Sequence, residues 1–439
     1  MDKRKKIKVH PYIFIILSFL GVILLGTLLL LLPISVADGT MLDFVDALFI
    51  STSSICVTGL TVVDISARLS IFGKVVMAFL MEIGGLSFLT IAVYIFTVLG
   101  AKIGISNRYL MKEALNQNSL SGIISLVKRI MIIAFAIQLF GVVLNYLALM
   151  DYYDYRFWPT LGASLYHSVA SFNNAGFDIF GPNSMIPFKD NVLLNISTIL
   201  LIFFGGLGFY VINDIITKRS FLKLSIHSKI VLIMTFFLII SGTIFFKLSM
   251  WDDITWLQAL FTSVTCRTAG FTTVDLSTLP PGAYITAVVL MFIGASPGST
   301  GGGVKTTTLF VIFLTVLYYA QGKKPKIFKR RVADSSIFKA FVLFGIAVLA
   351  ILFSTFVIGL IQPQLSVEKI LFEVTSAFST TGLTMGITMS LEWSSKIILC
   401  LLMFFGRVGP LTIIGVVNRN WMTESKEAVQ YVEERVIVG

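Results

Sequence analysis

Four glycines share one local setting: Gly59, Gly176, Gly270 and Gly382 each follow Thr or Ala and precede Leu or Phe. They sit in "DALFISTSSICVTGLTVVD" from Asp46, "GASLYHSVASFNNAGFDIF" from Gly162, "LQALFTSVTCRTAGFTTVD" from Leu257 and "LFEVTSAFSTTGLTMGITM" from Leu371. The chemistry open to such peptides lies in the backbone. Glycine takes positive φ and lets carbonyls approach an axis without a Cβ clash. Carbonyl rings from neighbouring peptides can replace the hydration shell of an alkali cation. Four independent helix-capping glycines would explain each one singly, but not their common flanks.

The elements that must hold these peptides are apolar spans. The 439 residues are 56% hydrophobic and 13% charged, with a mean hydropathy of +0.90. Stretches of membrane-crossing length recur, as in Tyr12–Leu32, Val75–Leu99, Ile130–Met150 and the shorter Ile230–Phe246. The pattern predicts an all-α integral membrane protein and excludes a soluble enzyme with one core. Tyr12–Leu32 follows Lys3, Arg4, Lys5, Lys6 and Lys8, but is too long for a signal-peptide core and reads as a retained first span.

Each glycine peptide is preceded by one span and followed by another. After the second come "EIGGLSF" (Glu82–Phe88), "FFGGLGF" (Phe203–Phe209), "MFIGASPG" (Met291–Gly298) and "MFFGRVGP" (Met403–Pro410). The unit of span, short helix, glycine loop and span is therefore used four times. Outer spans are expected at 11–32, 128–150, 228–250 and 337–361, inner spans at 72–99, 191–217, 283–319 and 394–417. The chain divides into a basic N-terminus (1–10), repeats at 11–100, 127–218, 228–320 and 336–418, and a charged tail (419–439).

Charge fixes the expected topology. Of the net +11, basic residues collect at the N-terminus, at Lys102–Arg129, at Lys218–Lys229 and at Lys323–Arg331, while the intervening segments carry Asp38, Asp46, Asp64, Asp178 and Asp275. This alternation follows the positive-inside rule rather than a nucleic-acid footprint. It places both termini in the cytoplasm with eight full spans, and makes the glycine loops re-entrant. Irregular backbone at membrane depth must be buried in protein or line a water-filled path, so four loops around one axis imply a common pore. Cys56, Cys266 and Cys400, and likewise His10, His167 and His227, show no metal-like spacing, and no catalytic motif is present.

The third inner span is interrupted. Gly294, Ala295, Ser296, Pro297, Gly298, Ser299, Thr300, Gly301, Gly302 and Gly303 carry five glycines and a proline and cannot form a stable helix. The stretch reads as an intramembrane loop below the glycine ring, suited to a movable gate; an ordinary cytoplasmic loop is the alternative. Arg407 lies in the apolar "FFGRVGPL", where an unpaired Arg costs at least about 2.5 kcal/mol on insertion scales. It should face the pore or take a salt-bridge partner, for which Glu82 is a candidate. Arg267 is expected to brace its loop by donating to carbonyls or to an acid, with Asn173 and Asn174 in similar supporting roles.

The motifs "VTGL", "FNNAGF", "RTAGF", "STTGLTMG" and "GASPGSTGGGVKT" resemble those of the Trk/Ktr/HKT potassium transporters, and of bacterial Ktr membrane subunits in particular, from Pro11 to about Asn418. The resemblance implies a single-chain potassium pore with pseudo-fourfold symmetry. Its filter would use backbone carbonyls of Val57, Thr58 and Gly59, of Asn174, Ala175 and Gly176, of Thr268, Ala269 and Gly270, and of Thr380, Thr381 and Gly382. Gly59 favours potassium, since a Ser there accompanies sodium preference in the plant branch. The 294–303 loop would block the pore until displaced, with Arg407 facing it. The family further implies a homodimer carrying a cytosolic ring of Rossmann-type regulatory subunits, with 323–331 and 418–439 as candidate contacts. Potassium is substrate, sodium a candidate activator, and this chain is expected to hold no cofactor. The alternative is a carrier coupling potassium to sodium or protons, which the few membrane carboxylates (Glu82, Glu373, Asp214) disfavour.

Overall fold

A computed structural model describes residues 11–99, 122–410, 412 and 416. The basic N-terminus, most of the Lys102–Arg129 cluster and the charged tail lie outside the described residues. Among the described residues four helices are long and apolar enough to cross a membrane: Pro11–Leu31, Ile123–Leu149, Ile226–Ser249 and Asp334–Ile361. These are the outer helices of the four repeats. Leu17, Leu139, Phe237 and Leu349 project from them exposed, as residues meeting lipid chains do.

Each outer helix packs on a short one: Phe44–Ile55, Phe157–Phe172, Trp256–Thr265 and Val367–Ser379. Asp43 caps the first through the Val45 amide at 3.0 Å, and a Thr255–Gln258 capping box starts the third. All four are lined with fully buried residues on both apolar and polar sides, including Phe49, Ser53, Phe172, Phe261, Ser376 and Phe378. Protein therefore surrounds them, and their C-terminal ends lead straight into the glycine loops.

The inner segments differ from the single rods expected. Residues 72–99 form Ile71–Leu86 and Phe88–Val98, bent by 96°, and 191–217 form Val192–Leu207 and Phe209–Lys218, bent by 94°. Six spans result if each bent pair counts as one. The third inner segment is Pro281–Phe292, a non-helical stretch, and Thr306–Ala320; the fourth is Trp393–Val408. Sixteen residues rise only about 24 Å, short of the hydrocarbon core. The breaks share one geometry, a residue at positive φ: Ser87 (φ 70°), Gly208 (φ 89°) and Gly409 (φ 88°).

The repeats close on themselves. Inner helix Ile71–Leu86 packs on the short helix of repeat 2, Val192–Leu207 on that of repeat 3, Pro281–Phe292 on that of repeat 4, and Trp393–Val408 on that of repeat 1. Within repeats 1, 2 and 4 a glycine also lets the inner helix meet its own short helix: a Cβ on Gly84, Gly205 or Gly406 would stand 2.1, 1.9 or 1.7 Å from the carbonyl oxygens of Ile55, Phe172 and Phe378. The Lys396 ammonium, 2.6 Å from Asp46 Oδ1, seals the seam between repeats 4 and 1.

Candidate functional site

The four glycine loops meet around one axis. Val57, Asn174, Thr268 and Thr380 stand at φ 55°, 56°, 70° and 52°, and the glycines two residues on at 100°, 68°, 86° and 91°. A Cβ on Gly59 would lie 2.6 Å from Ala175 O, on Gly176 2.7 Å from Ala269 O, on Gly270 2.5 Å from Thr381 O, and on Gly382 2.1 Å from Thr58 O. Each repeat thus abuts the next, and the fourth returns to the first. The glycines and the residues before them, eight of the twelve expected at the filter, form one closed ring.

The backbone amides of this ring point back into the short helices. Thr58 N donates to Ser53 O, Ala175 N to Ala170 O and Thr381 N to Ser376 O, each at 2.8 Å, and Ala269 N to Thr265 O at 2.9 Å. The hydroxyls of Ser53 and Ser376 take the amides of Gly59 and Gly382 at 3.1 and 3.0 Å. Among the described residues nothing donates to the carbonyls of Thr58, Ala175, Ala269 or Thr381. Those oxygens are available to a dehydrated cation, at the negative ends of four helix dipoles.

A cavity of about 300 Å³ opens on one side of the ring, lined by all four glycines and by Asp64, Asp178 and Asp275. Burial pushes the Asp178 carboxyl up to about 6.

Beneath the ring runs the 294–303 loop, its ends joined by a parallel bridge between Ile293 and Val304. It touches repeats 2, 3 and 4 directly, and Arg407 links it to repeat 1. Ser296 N and Thr300 N donate to Gly206 O and Gly205 O, each at 3.2 Å, and Phe209 N donates to Gly298 O at 3.0 Å. Gly301 and Gly302 press on the Thr268 and Thr380 hydroxyls, which a Cβ would approach to 2.0 and 2.4 Å. Arg407 completes the circuit, donating to Thr300 O and, on repeat 1, to Gly84 O and, at 3.2 Å, Gly85 O. Lys305 Nζ turns back to Gly301 O at 2.6 Å. Arg407 and Lys305 both line a second cavity of about 220 Å³ bordering the loop.

Several expectations about single residues need correction. Glu82 does not partner Arg407. The two Arg407-bound carbonyls follow it by two and three residues, while its own side chain accepts from Gln138 and Asn173. Arg407 forms no ion pair with a described residue; backbone carbonyls alone take its protons. Arg267 does not brace its loop as expected. It is buried without a side-chain hydrogen bond to any described residue, its Nε unpartnered. Asn173 is anchored to Glu82, and Asn174 reaches Thr268 Oγ1 at 3.4 Å. Sequence reasoning took Lys305, two residues after Gly303, only as a point for the cytoplasmic-loop alternative and gave it no contact. It passed over Ser53 and Ser376, although each stands six residues before its glycine.

One chain here supplies four pseudo-symmetric quarters of a helical, multi-pass membrane protein. Residues 4–431 match the family model TrkH, described as a cation transport protein. The chain is 37% identical to Ktr system potassium uptake protein B of Bacillus subtilis, over 93% of each chain. It is 36% identical to the protein of that name from Vibrio alginolyticus (100% of this chain, 97% of the relative). Against potassium/sodium uptake protein NtpJ of Enterococcus hirae the identity is 35%, over 100% and 99%. The crystal structure of the potassium transporter TrkH from Vibrio parahaemolyticus has the same fold, with a TM-score of 0.75 at 20% identity, over 95% of this chain and 87% of that one. The chain belongs to the TrkH family of cation transport proteins, as a Trk/Ktr superfamily membrane subunit. It is a membrane transporter and not an enzyme.

Proposed function

We propose that this chain takes up potassium across the cell membrane through a channel-like selective pore. The observation that carries the reading is the closed carbonyl ring, in which each glycine admits the next repeat's carbonyl oxygen. Relatives named for potassium uptake support potassium as the ion. Hydrated potassium enters from the acidic cavity, sheds water against the carbonyls of Val57–Gly59, Asn174–Gly176, Thr268–Gly270 and Thr380–Gly382, and then meets the 294–303 loop.

That loop is the gate, drawn closed. It crosses beneath the ring, and Arg407 and Lys305 add positive charge where a cation must pass, which raises the barrier to permeation. Displacing it requires breaking the Arg407 contacts. A homodimer bearing a cytosolic Rossmann-type subunit is the assembly we infer, with both termini cytoplasmic and sodium acting as an activator. The basic segment 323–331, which folds as a short hairpin pairing Lys326 with Arg331, offers such a partner an exposed surface. A coupled carrier is the weaker reading, because the Glu82 carboxylate is already engaged by two side-chain amides.

The deciding measurement is cation flux into liposomes holding the purified chain, with potassium and sodium compared under an imposed potential. Passive potassium flux above sodium flux supports the pore. Flux that follows only a sodium or proton gradient would overturn it in favour of the carrier.

A further inference from the structure

Glu82 occupies an unusual place. Its carboxylate accepts from Gln138 Nε2 at 3.1 and 3.0 Å and from Asn173 Nδ2 at 2.6 Å. The inner helix of repeat 1 is thereby tied to the outer and short helices of repeat 2. Among the described residues no cation pairs with it. A carboxylate only accepts hydrogen bonds, so it satisfies both amide groups at once; a glutamine would turn its own amino group on one of them.

Asn173 is where this grip acts. Fully buried, it ends the short helix and directly precedes Asn174, the left-handed first residue of the ring. Its amide also donates to Val169 O at 2.9 Å. A Cβ on Gly85 would fall 2.0 Å from Asn173 Oδ1, so the inner helix is pressed directly against it. The residues in register in the other repeats are Cys56, Arg267 and Ser379, and none of these side chains is held by a carboxylate among the described residues. The same helical turn presents the Gly84 and Gly85 carbonyls to Arg407.

We propose that Glu82 is a positioning residue for the second quadrant of the ring: by holding Asn173 it sets where the Asn174–Gly176 carbonyls stand, and so how well the ring distinguishes potassium from sodium. The proposal rests on the pore reading above. It assigns Glu82 an effect on ion preference rather than on the amount of folded protein or the state of the gate.

Equilibrium binding tests this without requiring an open pore. Potassium and sodium chloride are titrated, against a choline chloride background, into the purified full-length chain. The ratio of the sodium to the potassium dissociation constant is then read by calorimetry and by thermal shift. Glu82→Gln should lower that ratio on the order of tenfold, the equivalent of one hydrogen bond to a charged group. Asn173→Ala should lower it similarly, and the double variant should fall no further. Exchanging the groups in Glu82→Gln/Gln138→Glu restores complementary donors and acceptors and should recover most of the ratio. A wild-type ratio in folded Glu82→Gln overturns the proposal, as it does in Asn173→Ala should the first variant not fold. Equal affinity for both ions in the unmodified chain would instead sink the pore reading, and the proposal with it.

Discussion

Val57, Thr268 and Thr380 are β-branched residues at positive φ, a conformation costing about 1–3 kcal/mol each. They hold it because the amides that follow them are anchored in the short helices, so ring geometry is set by main-chain bonds and small side chains. Gly59→Ser puts an L side chain at φ 100° against Ala175 O. The sodium permeability of that variant, relative to potassium, should rise in liposome flux assays; unchanged selectivity would count against the ring as filter. Asp178, its carboxyl raised to about 6 by burial, is charged above that pH and neutral below it. Uptake at limiting external potassium should therefore decline as external pH falls through about 6, and Asp178→Asn should remove that component of the profile. A titration identical in wild type and variant would exclude Asp178 as the group. Arg407→Ala removes hydrogen bonds from a charged donor, each typically about 1.5–3 kcal/mol, so flux without a partner subunit should increase roughly tenfold or more.

At the scale of elements, the 294–303 loop differs from the helices around it in what holds it. Three backbone bonds to repeat 2 and the grips of Arg407 and Lys305 keep it in place, with no apolar face of its own. Shortening it within Gly298–Gly303 should raise flux in the absence of any partner. A well-folded but silent deletion would remove the loop from the gating role. How much of this was readable in the chain depends on the kind of constraint. The ring was legible because positive φ and close carbonyl approach both demand glycine, and four glycines with matching flanks mark four such places. The breaks of the inner helices were less so. Gly208 and Gly409 sit openly at two of them, but the equivalent break in repeat 1 falls on Ser87, which carries no such mark and left Val75–Leu99 looking continuous. Glu82 stood only as a candidate partner for Arg407 because its own partners, Gln138 and Asn173, are 56 and 91 residues away, and only the assembled ring brings them to it.

For the whole molecule, closure is the organising fact: inner helix to next short helix, four times, ending where it began. The last junction includes the largely buried Lys396–Asp46 pair. Breaking it with Lys396→Met leaves a partly desolvated carboxylate and should lower thermal stability by about 1–3 kcal/mol, with much of the loss recovered in Lys396→Met/Asp46→Asn. No recovery in the double variant would show that the seam is held by packing alone. Because one polypeptide contributes all four quadrants, a single codon change alters one quarter of the ring. In a pore assembled from four copies of a shorter chain, the same change would strike every quarter together. In the proposed pore, ion preference can be adjusted in quarter steps, each quadrant drifting on its own while three others keep the path open.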